Sequence, residues 1–80
     1  MLDVDRWVRT FRGLGPKQRA AVVCTLQCLG AKHAALDQRK ALGTVRLLVQ
    51  TADSSAVFSV TPRGWVKRTA LDAAHWMFPR

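Results

Sequence analysis

The residues best suited to chemistry in this sequence are two cysteines and two histidines. Cys24 and Cys28 are separated by three residues, and His33 and His75 lie further along the chain. A thiolate paired with an imidazole can act as a nucleophile, and the four side chains together could hold zinc. Structural zinc sites, however, take their ligands from tight turns, whereas this cysteine pair lies in an apolar stretch. We therefore predict no metal site, with both cysteines as small core residues and both histidines at or near the surface.

Other catalytic groups are equally sparse. The five acidic residues are all Asp and are scattered along the chain. The sequence contains no glycine-rich phosphate loop and no serine in a nucleophile motif. We therefore predict no enzyme activity, no catalytic residue and no cofactor. A disulfide between residues one helical turn apart would be strained, so we expect reduced thiols and a cytoplasmic protein.

Basic side chains are the dominant charged groups. The 13 Lys and Arg residues outnumber 5 Asp residues, which gives a formal net charge of +8. On a small domain, an excess of this size raises the local concentration of polyanions, with nucleic acid as the first candidate and an acidic protein surface as the second. The longest apolar run, near Ala20, is too short to span a bilayer. A partner at a membrane surface is not expected either, because no predicted helix combines a long apolar face with a Lys-rich polar face.

The pattern of apolar residues predicts a single α+β domain, in which helices precede an antiparallel sheet of two or three strands and a last helix follows. The predicted elements are helices at about 2–12, 16–29 and 32–43, strands at about 44–51, 56–60 and 65–68, and a helix at about 70–78. Within the first of these strands, Val45, Leu47 and Val49 alternate in a pattern that favours a strand, although a helix also fits.

The second predicted helix has clearly marked ends. Pro16 suits the first helical turn, and Gly30 suits the left-handed position just past the last turn. Residues 20–29 are apolar nearly all round, which is typical of a helix buried on several sides. Lys17 and Arg19 lie in the first turn, against the helix dipole, which indicates that something other than helix stability accounts for these charges.

The clearest local signal is the turn Thr61-Pro62-Arg63-Gly64. Proline at its second position and glycine at its fourth fit a type I turn that closes a hairpin between residues 56–60 and 65–68. Lys67 and Arg68 then lie on opposite faces of the second strand. Trp65 has two interpretations: it is a large core residue, or it is an exposed ring that stacks on a base beside these basic residues.

The stretch Phe58–Trp65 resembles the end of the wing in bacterial winged helix-turn-helix DNA-binding domains, where a strand commonly runs into Thr-Pro-Lys/Arg-Gly. The resemblance implies a DNA-binding regulator whose recognition helix comes from residues 32–43, extended in one version through Val49. The residues that it implies in the major groove are Arg39, Lys40 and Arg46. The order of helix, three strands and helix is also similar to that of a double-stranded-RNA-binding domain.

Two functions from different classes follow. The first is a small cytoplasmic nucleic-acid-binding protein, favoured as a dimeric transcriptional regulator on double-stranded DNA, whose basic residues share one face. Its contact residues would be Lys32, Arg39, Lys40, Arg46, Arg63, Lys67 and Arg68. The alternative is a small phage- or plasmid-type protein that binds and inhibits a host protein complex, because Trp and Arg are enriched at binding hot spots. Its contact residues would be Trp7, Phe11, Trp65, Trp76 and Phe78.

Overall fold

The described part of the chain folds into two helices and a four-stranded sheet. The computed structural model describes residues 2–37 and 43–69. Its elements in chain order are α1 (Val4–Val8), α2 (Pro16–Leu29), β1 (His33–Asp37), β2 (Val45–Gln50), β3 (Ser55–Val60) and β4 (Val66–Arg68). The strands are antiparallel and stand in the order β1-β2-β3-β4, so each strand pairs with its neighbour in sequence. The predicted α+β class is confirmed, and the predicted helix at 70–78 lies outside the described residues.

Helix α2 begins and ends where the sequence predicts. Pro16 occupies the first turn, and Gly30 follows the last turn with a left-handed backbone at φ 63°. The N–H of Ala31 donates to the carbonyl of Leu26 at 3.0 Å, which closes the helix end. This arrangement satisfies a carbonyl that the last turn would otherwise leave unpaired.

Helix α1 is shorter than the predicted 2–12. It begins as expected, because the N–H of Arg6 donates to the Asp3 carboxylate at 3.2 Å. Its last residue is Val8. After it, the N–H of Phe11 donates to the Val8 carbonyl three residues earlier, at 3.2 Å. The guanidinium of Arg19 donates to the carbonyls of Val8 and Phe11, at 3.4 and 3.3 Å. Arg19 of α2 therefore satisfies the Phe11 carbonyl and adds a second donor to the Val8 carbonyl, where α1 ends.

The helix predicted at 32–43 is wrong over the described part of that segment, because His33–Asp37 is strand β1. Every residue of β1 pairs with a residue of β2, which places Ala34 opposite Val49 and Leu36 opposite Leu47. The alanines of this segment favour a helix, but pairing with an apolar neighbouring strand overrides that weak preference. The sheet consequently has four strands instead of the two or three predicted.

The sequence pattern of segment 44–51 fits both a strand and a helix. In the structure, this segment forms strand β2. Its pattern was ambiguous because β2 is buried on both faces of the sheet. Leu47 and its alternating neighbours face the helices, whereas Leu48 and its β3 partner Val57 lie on the opposite face and are also buried. A strand buried on both sides reads as a continuous apolar run without alternation. The buried residues that pack between sheet and helices include Val4, Val8, Leu14, Val22, Leu26, Val45, Leu47, Val49 and Val60.

Candidate nucleic-acid interface

The connection between β3 and β4 forms the predicted hairpin turn. The N–H of Gly64 donates to the Thr61 carbonyl at 2.9 Å, and the N–H of Thr61 donates to the Trp65 carbonyl at 2.9 Å. The Thr61 hydroxyl also accepts the N–H of Trp65, at 3.1 Å. Gly64 has φ 88°, so a glycine bulge follows the turn. These bonds fix the direction in which Arg63 and Trp65 leave the sheet.

The turn lies directly against the N-terminal end of α2. A Cβ atom added to Gly64 would meet the backbone oxygen of Lys17 at 3.0 Å, which is tighter than nine in ten real Cβ contacts. A Cβ atom added to Gly15, the residue before α2, would lie 3.9 Å from the carbonyl oxygen of Pro62. The fold therefore brings Lys17 beside the hairpin turn, a neighbourhood that sequence analysis did not predict.

A buried glutamine holds this arrangement together. The Gln18 side chain is 2% exposed, and its Nε2 donates to the carbonyls of Val60 and Gly43, each at 3.0 Å. It thereby ties the first turn of α2 to the end of β3 and to the approach to β2. The sequence did contain a signal for this role, because Gln18 precedes Val22 and Leu26 at the four-residue spacing of one buried helix face.

The exposed side chains around the turn form what we call the hairpin patch, defined as Lys17, Arg63, Trp65, Lys67 and Arg68. Trp65 is 73% exposed, so the core interpretation of this residue is wrong. Lys67 pairs with Ser59 and Arg68 with Phe58, which places them on opposite faces of β4, as predicted. All three residues of β4 are exposed in the part of the chain that the structure describes.

The other predicted basic residues are distributed more widely. Arg46 is half-buried on β2 and pairs with Ser59, and Ser59 pairs with Lys67 on its other side. Arg46 and Lys67 therefore share the sheet face away from the helices. Lys32 lies at the other end of the sheet, where its N–H donates to the Gln50 carbonyl at 2.8 Å. The fold does not bring Lys32 to the hairpin patch. Arg39 and Lys40 lie outside the described residues.

The two charges in the first turn of α2 have separate explanations. Arg19 is half-buried and bonds to the carbonyls near the end of α1, which is a structural role. Lys17 is exposed at a helix end that has no side-chain cap at Gly15 and no acidic residue in its first turn. The positive end of the helix dipole adds to the charge of Lys17, so an anion is favoured here.

Comparison with models of known protein families, with characterised proteins and with solved structures finds no match to this chain. Its function therefore has to be argued from the site. In the described ranges 2–37 and 43–69, no helix is both long and apolar enough to cross a membrane.

The aromatic residues predicted as partner contacts differ in their surroundings. Trp7 and Phe11 are half-buried against the core, with ring centroids 4.7 Å apart and planes inclined at 59°. They help to hold α1 against the rest of the fold, and only part of each ring reaches solvent. Trp76 and Phe78 lie outside the described residues. Among the described candidates, Trp65 is the one that presents most of its ring to solvent.

The prediction that Cys24 and Cys28 belong to the core is wrong. Both side chains are exposed on α2, with 3.7 Å between their Sγ atoms. The hydrogen bond to Cys24 and the nearby charge of its thiolate raise the pKa of Cys28 above the usual value for a thiol. The sequence suggested a core position because this helix carries few polar residues, but its buried face passes through Val22 and Leu26. His33 is exposed, as predicted, and His75 lies outside the described residues.

Proposed function

We propose that the protein binds double-stranded DNA through the hairpin patch, with the β3–β4 hairpin as the element that contacts the duplex. The observation that carries the proposal is an exposed tryptophan, Trp65, which lies between Arg63 and Lys67 in the chain at a turn whose backbone is fixed by hydrogen bonds. A large apolar ring is costly to expose to water, and nucleic acid offers it bases and sugars to contact.

The basic residues of the patch would neutralise backbone phosphates. Arg63 is at the tip of the hairpin, and a guanidinium matches a phosphate through two parallel hydrogen bonds. Lys67 and Arg68 extend the charge along β4, and Lys17 adds a cation at the start of α2. Contacts of this kind set affinity and orientation without reading the sequence.

The mode of binding follows from which elements carry charge. Helix α2 has no charged residue between Ala20 and Leu29, so it is a poor candidate for reading a groove. The winged-helix resemblance assigns the recognition helix to residues 32–43, extended in one version through Val49. Within this segment, residues 33–37 and 45–50 are strands in the structure. We therefore expect the hairpin to contact phosphates and groove edges as a wing does, with weak base specificity. The resemblance suggests transcriptional regulation as the biological role.

The test is fluorescence anisotropy of a labelled mixed-sequence duplex as a function of salt. Lys17, Arg63 and Arg68 give three phosphate contacts and an expected log–log slope of about −2.7, because Lys67 lies on the opposite face of β4. Arg63→Gln should reduce the magnitude of the slope by about 1. Lys32→Gln is the matched control, because it removes the same charge at the other end of the sheet and should change the slope much less.

Either of two results would contradict the proposal. One is no duplex binding at about 50 mM salt, where a cationic protein binds most readily. The other is an equal effect of Arg63→Gln and Lys32→Gln, which would mean that net charge, and not the patch, drives association. Parallel titrations with single-stranded DNA and double-stranded RNA show whether duplex DNA is the preferred form.

The exposure of Trp65 also favours a second candidate, binding of an acidic surface on a host protein complex. Trp and Arg together are typical of interface hot spots. In that case Trp65→Ala abolishes association with the protein partner, while the wild-type chain fails to bind duplex DNA in the titration above.

A further inference from the structure

The two exposed thiols on α2 are spaced as ligands of one metal ion. The Sγ atoms of Cys24 and Cys28 are 3.7 Å apart. Two sulfur ligands bound to zinc at about 2.3 Å, at the tetrahedral angle, lie about 3.8 Å from each other. The separation of the two sulfurs therefore matches half of a four-thiolate zinc site without any movement of the helix.

The same geometry argues against a disulfide within this helix. A disulfide needs Cβ atoms about 3.5–4.5 Å apart, whereas residues four apart on a helix have Cβ atoms about 5–6 Å apart. Closing the bond would require the helix to distort. A metal ion that bridges the two sulfurs requires no such change, so the backbone favours metal binding over oxidation.

A structural zinc site needs two more ligands. Within residues 2–37 and 43–69, no group of three or more His, Cys, Asp and Glu side chains is placed to hold a metal ion. The missing ligands can come from the same pair in a second copy of the chain, because a two-fold axis repeats one surface on both subunits. Two Cys-x3-Cys pairs facing each other supply the four thiolates of a tetrahedral site.

The surface around the thiols suits contact between two copies. The segment from Ala20 to Leu29 contains no charged residue, in a chain with a net charge of +8. Ala20 and Gln27 are exposed beside Cys24, and the small alanine allows a second helix to approach closely. Asp5, Arg9 and Arg19 line the same surface next to Cys24, so the uncharged contact area is confined to α2 itself.

We propose that Cys24 and Cys28 form half of a zinc site that is completed by the same two residues of a second copy, so that one Zn²⁺ joins two α2 helices. Binding converts four thiols into four thiolates and releases four protons to solvent, with no change of oxidation state. The two negative charges that remain on the zinc–thiolate group offset part of the repulsion between the chains.

The experiment is sedimentation velocity of the reduced full-length chain, free of metal, with and without Zn²⁺ in the presence of a phosphine reductant. We expect the sedimenting species to double in mass when one Zn²⁺ is present per two chains, and we expect EDTA to return it to the monomer mass. Cys24→Ser and Cys28→Ser should each lose the zinc-dependent dimer. Thr25→Ser, on the same helix, should retain it, and circular dichroism should show that all three variants keep the fold.

Substitution of Co²⁺ for Zn²⁺ provides a readout of the ligands themselves, because thiolate-to-cobalt charge-transfer absorption should rise in proportion to dimer and disappear in the serine variants. The proposal is overturned by a zinc-bound monomer, by a dimer that persists in EDTA or in the double serine variant, or by a chain that binds no zinc. A dimer linked by disulfides on a non-reducing gel would also overturn it. None of these outcomes depends on whether the protein binds DNA.

Discussion

Replacement of Gln18 by leucine tests whether one buried side chain positions the hairpin patch. Gln18→Leu keeps the approximate size of the side chain and the helix propensity of the residue. It removes the donor to the carbonyls of Val60 and Gly43, both 3.0 Å from Nε2 in the folded chain. Any loss of stability then reports on the two hydrogen bonds and not on a cavity or on helix formation.

The size of the effect can be worked out from burial. A buried polar group left without its partner costs about 1–3 kcal/mol. The cost at Val60 lies toward the upper end because this residue is fully buried, whereas the carbonyl of exposed Gly43 can reach water. We expect a total loss of about 2–4 kcal/mol, a large part of the roughly 4–12 kcal/mol that stabilises a domain of this length.

The assay is urea unfolding followed by circular dichroism, with a thermal melt alongside. The melting temperature should fall by roughly 10–25 °C. Gln27→Leu makes the same substitution at an exposed position of the same helix and should change stability by less than about 0.5 kcal/mol. The reasoning is refuted if the two variants unfold at the same urea concentration, because the hydrogen bonds of Gln18 would then contribute nothing to the fold.

Two further predictions concern the turn and the thiols. Gly64→Ala and Gly13→Ala both place alanine at a positive φ of nearly equal size, which lowers stability by about 1–2 kcal/mol. In Gly64→Ala the new Cβ also meets Lys17, which lowers stability by about a further 1–3 kcal/mol. Equal melting temperatures for the two variants would contradict the contact between the turn and α2. Cys24→Ala should lower the pKa of Cys28, because the neighbouring thiol that raises it is gone, and the rate of alkylation against pH measures this change. An unchanged pH dependence would mean that the two thiols do not interact.

The sequence predicts the elements with strong local signals. The ends of α2 were predictable because proline and glycine each fix a backbone conformation that few other residues adopt. The hairpin turn was predictable for the same reason. Strand β1 was not, because its alanines carry little intrinsic preference for a strand and the apolar partner strand that stabilises it lies nine or more residues further along the chain.

The candidate site was predictable only in part. Arg63, Lys67 and Trp65 were identified because the turn places them together in the sequence. Lys17 joins them through a contact between α2 and the turn, which local patterns do not encode. Lys32 was included on charge alone, and the strand order places it at the other end of the sheet. The exposure of Cys24 and Cys28 depends on which face of α2 the sheet covers. Because residues on all sides of this helix are apolar, the sequence did not indicate which face that would be.

The two proposed surfaces are compatible because α2 separates them. The helix rises about 1.5 Å per residue, so the nearer thiol, Cys24, lies about 10.5 Å along the axis from Lys17. This distance exceeds the roughly 8 Å over which charges are screened at physiological salt. The cations of the hairpin patch therefore contribute little to the repulsion between two chains that meet at the thiols. The uncharged residues 20–23 lie between the charged first turn of α2 and Cys24, so the proposed polyanion-binding and self-association surfaces use different parts of the same helix.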